Sequence, residues 1–204
     1  LRPLDAAGNV VPLGGGSLAE VAQLDVSGLD PRLGTVTFRI AVDVQNPLVG
    51  GDGAAHVFGP QKGADGDAVE LLDAGLRNWA SVLRQSTGRD VNVPGAGAAG
   101  GFPASFLAFS DAALEGGFEL VAGLTGLADK LAQADLVITG EGSLDSQSLT
   151  GKAPIALADA AQSLGIPVIV VAGRILVTPE DLAQHGVVAA AQLAKRPLFY
   201  GSYP

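Results

Sequence analysis

The chain has 204 residues, 48% of them hydrophobic, and its 21 acidic against 12 basic side chains give a formal charge of −9. That length allows one large domain or two small ones with a packed core, and the acidic balance disfavours nucleic acid, which requires clustered basic side chains. The absence of cysteine excludes disulfides and thiolate metal sites, and no uninterrupted apolar run is long enough to predict a membrane span.

The first part of the chain predicts one strand and one long helix. Residues 36–44 alternate between apolar and polar side chains, which is typical of a half-buried strand and places Asp43 on its polar face. An Asn-Pro pair then ends the strand. Apolar residues at steps of three and four predict an amphipathic helix that begins at an N-cap, Asp67, and stops at Gly88.

The second part of the chain has a different sequence pattern, in which continuous apolar runs alternate with helical segments. A shorter helical pair is predicted at 117–132. Three continuous apolar runs that are typical of buried strands follow, with helical segments between them: 135–139, 167–172 and 187–191. This alternation predicts a parallel sheet with helices on its faces. This change of sequence pattern predicts a domain boundary near residue 133.

A first glycine segment, residues 43–63, follows the predicted strand. It carries four polar side chains on a backbone rich in glycine: Asp43, Asn46, Gln61 and Lys62. Glycine lets the backbone approach a ligand closely, and lysine supplies a compact charge for phosphate. The segment is a candidate substrate and phosphate loop. A turn region with solvated polar residues is the alternative.

A second glycine segment, residues 94–101, matches the pattern G-x-G-x-x-G. The clear preceding strand and the following acid of an NAD-binding fingerprint are missing, and so is the Gly-Lys-Ser/Thr ending of a P-loop. A looser mechanism remains, in which the backbone amides of Gly95 and Gly97 bind an anion at a helix start. The alternative is that these glycines pack tightly against a neighbouring element.

A third glycine segment, residues 139–154, leaves the first apolar run at its carboxyl end, which is where ligands bind in open α/β sheets. Its carboxylates, Glu141 and Asp145, could hold Mg²⁺ or act as a base, and Lys152 stands at the start of the next helix. Two glycines leave backbone amides open to an anion: Gly140 and Gly142. A capping loop with exposed charges is the alternative.

The remaining polar residues indicate little chemistry. The two histidines, His56 and His185, are far apart in the sequence and lack metal-ligand spacing. We interpret His56 as a structural histidine. The serines of the third glycine segment lack a G-x-S-x-G elbow, so a hydrolase triad is not expected.

Together the three segments resemble the signature loops of bacterial, type 1 glycerate kinases. The matching motifs are Asp-Val-x-Asn-Pro-Leu…Phe-Gly-Pro-Gln-Lys-Gly, Pro-Gly-Ala-Gly-Ala-Ala-Gly-Gly and Thr-Gly-Glu-Gly-x-Leu-Asp-x-Gln-(Ser/Thr)…Gly-Lys, in that order. The resemblance runs from Leu1 to about Leu193. Family members begin with a segment that this chain lacks, and the chain has no methionine, so we expect a fragment that lacks the N-terminal part.

The resemblance implies an α/β fold of two domains. Residues 1–133 would form most of an inserted mixed α/β domain, and residues 134–204 part of a Rossmann- or flavodoxin-like parallel-sheet domain. It implies ATP and Mg²⁺ as cofactors and glycerate as the acceptor, in the cytoplasm. Neither nucleic acid nor a membrane is expected as a partner, and a homodimer stays open.

The resemblance also implies roles for individual residues, since phosphoryl transfer requires alignment, charge neutralisation and Mg²⁺. The expected catalytic residues are Asp43, as base or orienting group, and Lys62 and Lys152, which neutralise phosphate oxygens. The expected metal ligands are Glu141 and Asp145. The expected phosphate-binding glycines are Gly95, Gly97, Gly140 and Gly142. The expected substrate-binding residues are Asn46, Gln61, Ser143, Gln147 and Arg174.

One departure from the family pattern bears on function. Ser143 stands where the resemblance leads us to expect arginine, and Arg174, just after the second apolar run, is a candidate replacement for that charge. A catalytically degenerate ligand-binding or regulatory module on the same fold is therefore the alternative to a kinase. An NAD-dependent dehydrogenase is the third hypothesis.

Overall fold

A computed structural model describes residues 1–146 and 148–193. The chain divides into two compact units, the first spanning Leu1–Gly117 and the second beginning at Phe118. The division lies at the junction of a strand and a helix, before the boundary predicted near residue 133. Among the described helices, none is both long and apolar enough to cross a membrane.

The first unit contains two two-stranded sheets and several helices. Its regular elements are β1 (Arg2–Leu4), β2 (Gln23–Asp25), β3 (Thr37–Val42), α1 (Ala54–Phe58), α2 (Gly66–Thr87), α3 (Pro103–Phe109) and β4 (Asp111–Gly116). β1 pairs with β2 in antiparallel fashion, and β3 pairs with β4 in parallel. Their core is built mainly from α1, α2 and the loops around them, including Leu48, Val69, Leu76, Leu83, Val91 and Ala96.

Strand β3 confirms the alternating pattern that predicted it. Phe38, Ile40 and Val42 are more buried than Arg39 and Ala41, which lie between them. The partner strand β4 was not predicted, because Asp-Ala-Ala-Leu-Glu-Gly carries a single large apolar residue. Across the pair, the Arg39 guanidinium donates two hydrogen bonds to Glu115, which lowers the pKa of that carboxyl below its usual value. In the register of β3 and β4, Val42 pairs with Gly116, so both strands end next to Asp43.

The long helix α2 confirms the helical stripe but begins earlier than predicted. Asp65 is the N-cap, and its side chain accepts a hydrogen bond from the Ala68 amide at 2.9 Å. The prediction of Asp67 as the N-cap is therefore wrong. Asp67 lies in the first turn, where a carboxylate interacts favourably with the helix dipole. Gly88 ends the helix in the left-handed conformation, as predicted (φ 74°).

The second unit is built around a three-stranded parallel sheet in the order β5-β6-β7, which confirms the α/β prediction. Its elements are α4 (Gly117–Thr125), α5 (Leu127–Leu131), β5 (Val137–Leu144), α6 (Ala153–Gln162), β6 (Val168–Ile175), α7 (Pro179–Gln184) and β7 (Val187–Gln192). The fully buried Val168, Val170 and Ala172 of β6 belong to the same core as Ile155 and Ala158 of α6. These residues hold the sheet and helix together.

Strand β5 is longer than the apolar run that predicted it. The run ends at Thr139, whereas the strand continues to Leu144 and pairs with β6 along most of its length. Glycine allows this close pairing, because a Cβ on Gly140 would lie 2.1 Å from the carbonyl oxygen of Val171. The third glycine segment therefore starts as a strand and becomes a loop only after Leu144.

Candidate active site

A cavity of about 570 Å³ lies in the first unit, at the carboxyl end of β3. Three polar side chains from the first glycine segment line it: Asp43, Gln61 and Lys62. The second glycine segment lines it through Ala98, Ala99 and Gly100. The remaining wall is largely apolar, with contributions from Leu18, Phe58, Leu72 and Leu76. Two segments that are far apart in the sequence thus meet around one cavity.

Asp43 follows the last residue of β3 and is exposed at the cavity wall. Its Oδ1 accepts a hydrogen bond from the Gly117 amide at 3.1 Å. A Cβ at 117 would lie 2.4 Å from the same oxygen, so a side chain there would displace the Asp43 carboxylate. Within the described residues Oδ2 makes no hydrogen bond. One oxygen therefore orients the carboxylate, and the other is available to a ligand.

Asn46, a predicted substrate-binding residue, makes its hydrogen bonds within the glycine segments. Its side-chain Nδ2 donates to the Asp52 carbonyl at 2.8 Å, and its backbone carbonyl accepts the Gly97 amide at 3.0 Å. It does not line the cavity. Asn46 thus closes the turn of the first glycine segment and ties it to the second.

The glycines predicted to bind phosphate in the second glycine segment are packed against their neighbours. A Cβ on Gly97 would lie 2.4 Å from the Pro47 carbonyl, and the Gly97 amide is already bonded to Asn46. Gly95 has φ of +84°, and a Cβ there would press on Val42 at 3.2 Å. Close packing accounts for both glycines, and the cavity wall is formed by the residues that follow them.

Ala99 is a strained residue at that wall. It is the one non-glycine residue with positive φ (49°) in the described chain, and left-handed backbone costs an alanine about 1–2 kcal/mol. We expect Ala99→Gly to raise the free energy of unfolding by about 0.5–1 kcal/mol, since part of the relief is lost to the greater freedom of unfolded glycine. Ala98→Gly, where φ is negative, should instead destabilise. Urea denaturation tests both, and a less stable Ala99→Gly protein would contradict the strain.

Glu141 is the most informative residue of the third glycine segment. It lies in β5, opposite Ala172, and its Oε1 is buried without a hydrogen-bond partner among the described residues. A buried carboxylate oxygen left unpaired is costly, so its position points to a cation or a donor group. Gly142, one residue on, has no atom within 4 Å of an added Cβ and so borders open space.

The loop after β5 is held by its own side chains. The Asp145 Oδ1 accepts the Ser148 amide at 3.1 Å and the Ser148 hydroxyl at 3.3 Å, and Ser148 is fully buried. Asp145 thus shapes the turn as well as carrying a charge. Gln147, a predicted substrate-binding residue, lies outside the described residues. No cluster of three residues able to bind a metal occurs in the described part of the chain.

Three polar side chains of the second unit stand near the carboxyl ends of its strands. Ser143 of β5 pairs in register with Arg174 of β6, so the arginine lies beside the position where the family pattern has one. Lys152 is the N-cap of α6 and makes no capping hydrogen bond. A cation is unfavourable at a helix N-terminus, so helix stability does not explain this lysine.

Two side-chain contacts to the backbone of the first glycine segment were not predicted, one from the exposed Asn92 and one from the buried Asp73. The Asn92 side chain accepts the Val49 amide at 3.1 Å, and the Asp73 side chain accepts the Gly50 amide at 2.9 Å. A signal for Asp73 exists in the sequence, since it lies four residues after Val69 on the apolar stripe of α2. No comparable pattern marks Asn92.

Each histidine lies beside an acidic side chain of a neighbouring helix. His56 Nε2 lies 3.2 Å from Glu70 on α2, which joins α1 to α2. His185, just after α7, has Nδ1 at 2.6 Å from Asp159 of α6. Neither lines the cavity of the first unit.

Comparison with known proteins gives one consistent match. The model of the glycerate kinase family matches residues 1–200. A glycerate kinase of Halalkalibacterium halodurans is 45% identical over 197 residues, covering 96% of this chain and 52% of the relative, and the glycerate 2-kinase of Escherichia coli is 46% identical over 186 residues, covering 91% and 49%.

A solved structure agrees with these relatives. It is a protein from Salmonella typhimurium LT2 provisionally named glycerate kinase 2, and it matches with a TM-score of 0.81 and 43% identity, covering 95% of this chain and 50% of that one. The chain thus spans about half the length of the relatives it matches. The chain belongs to the glycerate kinase family.

Proposed function

We propose that the protein transfers the γ-phosphoryl group of ATP to glycerate. The observation that carries the proposal is the convergence of Asp43, Gln61 and Lys62 on one cavity of the first unit. A small hydroxy acid requires a cation for its carboxylate and an acceptor for its hydroxyl proton, and these side chains are of those types. The names of the relatives support the same substrate class.

At the acceptor end, Asp43 would receive the proton of the glycerate hydroxyl. Its Oδ1 is fixed by the Gly117 amide, so Oδ2 is held in a defined direction. Lys62 would neutralise the substrate carboxylate or a transferred phosphoryl oxygen, and Gln61 would orient a hydroxyl. Because the Escherichia coli relative is named a 2-kinase, we propose the 2-hydroxyl as the acceptor.

At the donor end, Glu141 would hold Mg²⁺. Mg²⁺ is commonly bound by one or two carboxylates together with phosphate oxygens and water, so one buried and unpaired carboxylate oxygen fits it. When bound, the ion would offset the negative charge of the phosphates. Lys152 would contact phosphate oxygens, and Asp145 would shape the loop while adding negative charge nearby.

The alternative of a catalytically degenerate binding module rests on Ser143, where the family pattern has arginine. Arg174 of β6 pairs in register with Ser143 of β5, so it carries a guanidinium on the neighbouring strand. This supports an active site in which the positive charge is supplied by β6 instead of β5. The alternative of a dehydrogenase is weakened because the Gly97 amide is bonded to Asn46. A catalytic role is the better account of the residues present.

The direct test is an assay of ADP release by the intact protein. We expect ATP consumption only when glycerate and Mg²⁺ are both present, and ³¹P NMR of the product should show a phosphate ester at the 2-position. Equal rates with and without glycerate would overturn the proposed function. A 3-phosphate product would leave the kinase in place and overturn only the choice of hydroxyl.

A further inference from the structure

The feature behind this inference is Asp73, an acidic residue on the inner side of α2. Only 4% of its surface is exposed, and it is the one acidic residue among the buried residues of the described chain. Aspartate is rarely buried to this degree without partners, because desolvating a carboxylate is costly. The contacts of Asp73 therefore identify what the buried charge is for.

Both carboxylate oxygens of Asp73 are bonded, and they face different partners. Oδ1 accepts the Gly50 amide at 2.9 Å, and Oδ2 accepts Nε of Arg77 at 2.7 Å. Nδ1 of His56 lies 3.7 Å from Oδ1, beyond hydrogen-bond distance, and is buried without a partner within residues 1–146 and 148–193. The carboxylate thus links α2 to the irregular backbone between β3 and α1.

Helix stability alone does not explain this arrangement. The Asp73–Arg77 pair has the i, i+4 spacing of a surface pair, and the arginine side chain is 57% exposed. Pairs of this kind contribute little to stability, whereas the buried carboxylate costs desolvation. The contact that requires a buried acceptor is the one with Gly50, whose backbone has φ of +102° and lies outside any regular element.

The Gly50 contact lies at the centre of the first glycine segment. On one side are Asn46, bonded to the Asp52 carbonyl, and Asp43 at the cavity wall. On the other side α1 begins, and its first residues Ala54 and Ala55 also line the cavity. A charged acceptor makes a stronger bond to an amide than a neutral one. A shift at Gly50 would therefore be transmitted to both walls of the cavity.

We propose that Asp73 is a positioning residue, which holds residues 43–55 in the conformation that aims Asp43 at the acceptor. This rests on the proposed function, because Asp43 is assigned there as the group that receives the proton. Asp73 acts through Gly50 and lies behind the cavity wall, which it does not line.

The test uses the intact protein and the variant Asp73→Asn, which keeps the volume and one acceptor oxygen but loses the charge. If the asparagine oxygen accepts the Gly50 amide, the asparagine NH₂ group faces the Nε–H of Arg77. Two donors then oppose each other, and the bond to Arg77 is lost. We expect kcat/KM for glycerate to fall about tenfold or more, since small misplacements of catalytic groups have large effects on rate. The KM for ATP should change much less.

Two matched variants on α2 separate positioning from general destabilisation. Glu70→Gln removes an exposed carboxylate on the other side of His56 and should leave kcat/KM within about twofold, as expected for a solvent-exposed charge. Val82→Ala shortens a buried side chain that packs with Val11 and Val21, in a different cluster of the core. This variant should have a lower melting temperature while the contact with Gly50 stays intact, so it measures the effect of destabilisation alone. Rates are compared well below the melting temperature of each variant.

Amide hydrogen exchange of peptides that cover residues 48–53 is the second measurement, and it does not depend on activity. Asp73→Asn should speed exchange in these peptides beyond the change seen in Val82→Ala. Unchanged exchange there, or an unchanged kcat/KM despite faster exchange, would overturn the proposal. If the unmutated protein shows no kinase activity, the proposed function fails, and with it the role assigned to Asp73, whatever the exchange shows.

Discussion

Replacing Asp43 with asparagine is expected to lower kcat about 10²-fold or more, because loss of a general base typically removes a factor of 10²–10⁴. Asparagine keeps the shape of the side chain, and its oxygen can still accept the Gly117 amide that Oδ1 accepts at 3.1 Å. It cannot take a proton from the acceptor hydroxyl. The steady-state rate with saturating glycerate and ATP measures the effect, and the melting temperature checks that the fold is retained.

Asp52→Asn is the matched control for that experiment. Asp52 is exposed, lies in the same glycine segment and does not line the cavity. Its one hydrogen bond within the described chain is made by its backbone carbonyl, which accepts from Asn46, and the substitution leaves that bond in place. Its rate should stay within about twofold of the unmutated protein, as for other exposed charges. If Asp43→Asn behaved like this control, Asp43 would have no part in the chemistry.

The elements that the sequence predicted well are those whose side chains alternate or repeat around one buried face. β3 shows period-two alternation and α2 shows apolar residues at steps of three and four, and both patterns follow directly from burial on one side. β4 lacks such a pattern, because two alanines and one leucine form its apolar content. Its strand conformation depends on pairing with β3, which is distant in the sequence.

The polar side chains and the glycines were assigned their roles from the sequence on different grounds, and both sets of roles stay predictions. Asp43, Gln61 and Lys62 line one cavity of the first unit. The phosphate-binding role of Gly97 was predicted from its backbone amide. In the structure, the need for glycine at this position is explained by its lack of a side chain, since the Pro47 carbonyl occupies the space that a Cβ would fill. A glycine in a sequence does not reveal whether it makes room for a ligand or for the protein backbone.

The end of β5 and the contact of Asp73 share one physical reason for being missed. Both depend on a partner that is remote in sequence, Val171 in the first case and Gly50 in the second. Gly140 looked like part of a loop because glycine disfavours strands in isolation, yet here it allows a carbonyl to approach closely. The sequence marks such residues as unusual but does not identify the backbone they contact.

The substitution Glu141→Gln should have opposite effects on the protein with and without Mg²⁺. In the absence of the ion, the buried Oε1 has no partner in the part of the chain that the structure describes. A neutral amide avoids the cost of an unpaired charge there, so the melting temperature should rise slightly. With MgATP present, the amide offers no negative charge to the cation. The stabilisation by MgATP should therefore shrink, and the Mg²⁺ concentration for half-maximal rate should rise about tenfold or more.

Glu180→Gln is the control, since Glu180 is an exposed carboxylate of the same unit, at the start of α7. It should shift neither the Mg²⁺ dependence nor the stabilisation by MgATP. The KM for glycerate should stay near its normal value in Glu141→Gln, because the residues assigned to the acceptor belong to the cavity of the first unit. A rise in the glycerate KM with an unchanged Mg²⁺ dependence would contradict the role of Glu141 toward the phosphate donor and assign it to the acceptor. A melting temperature that falls without Mg²⁺ would mean that the carboxylate has a protein partner, which would remove the reason for assigning it a cation.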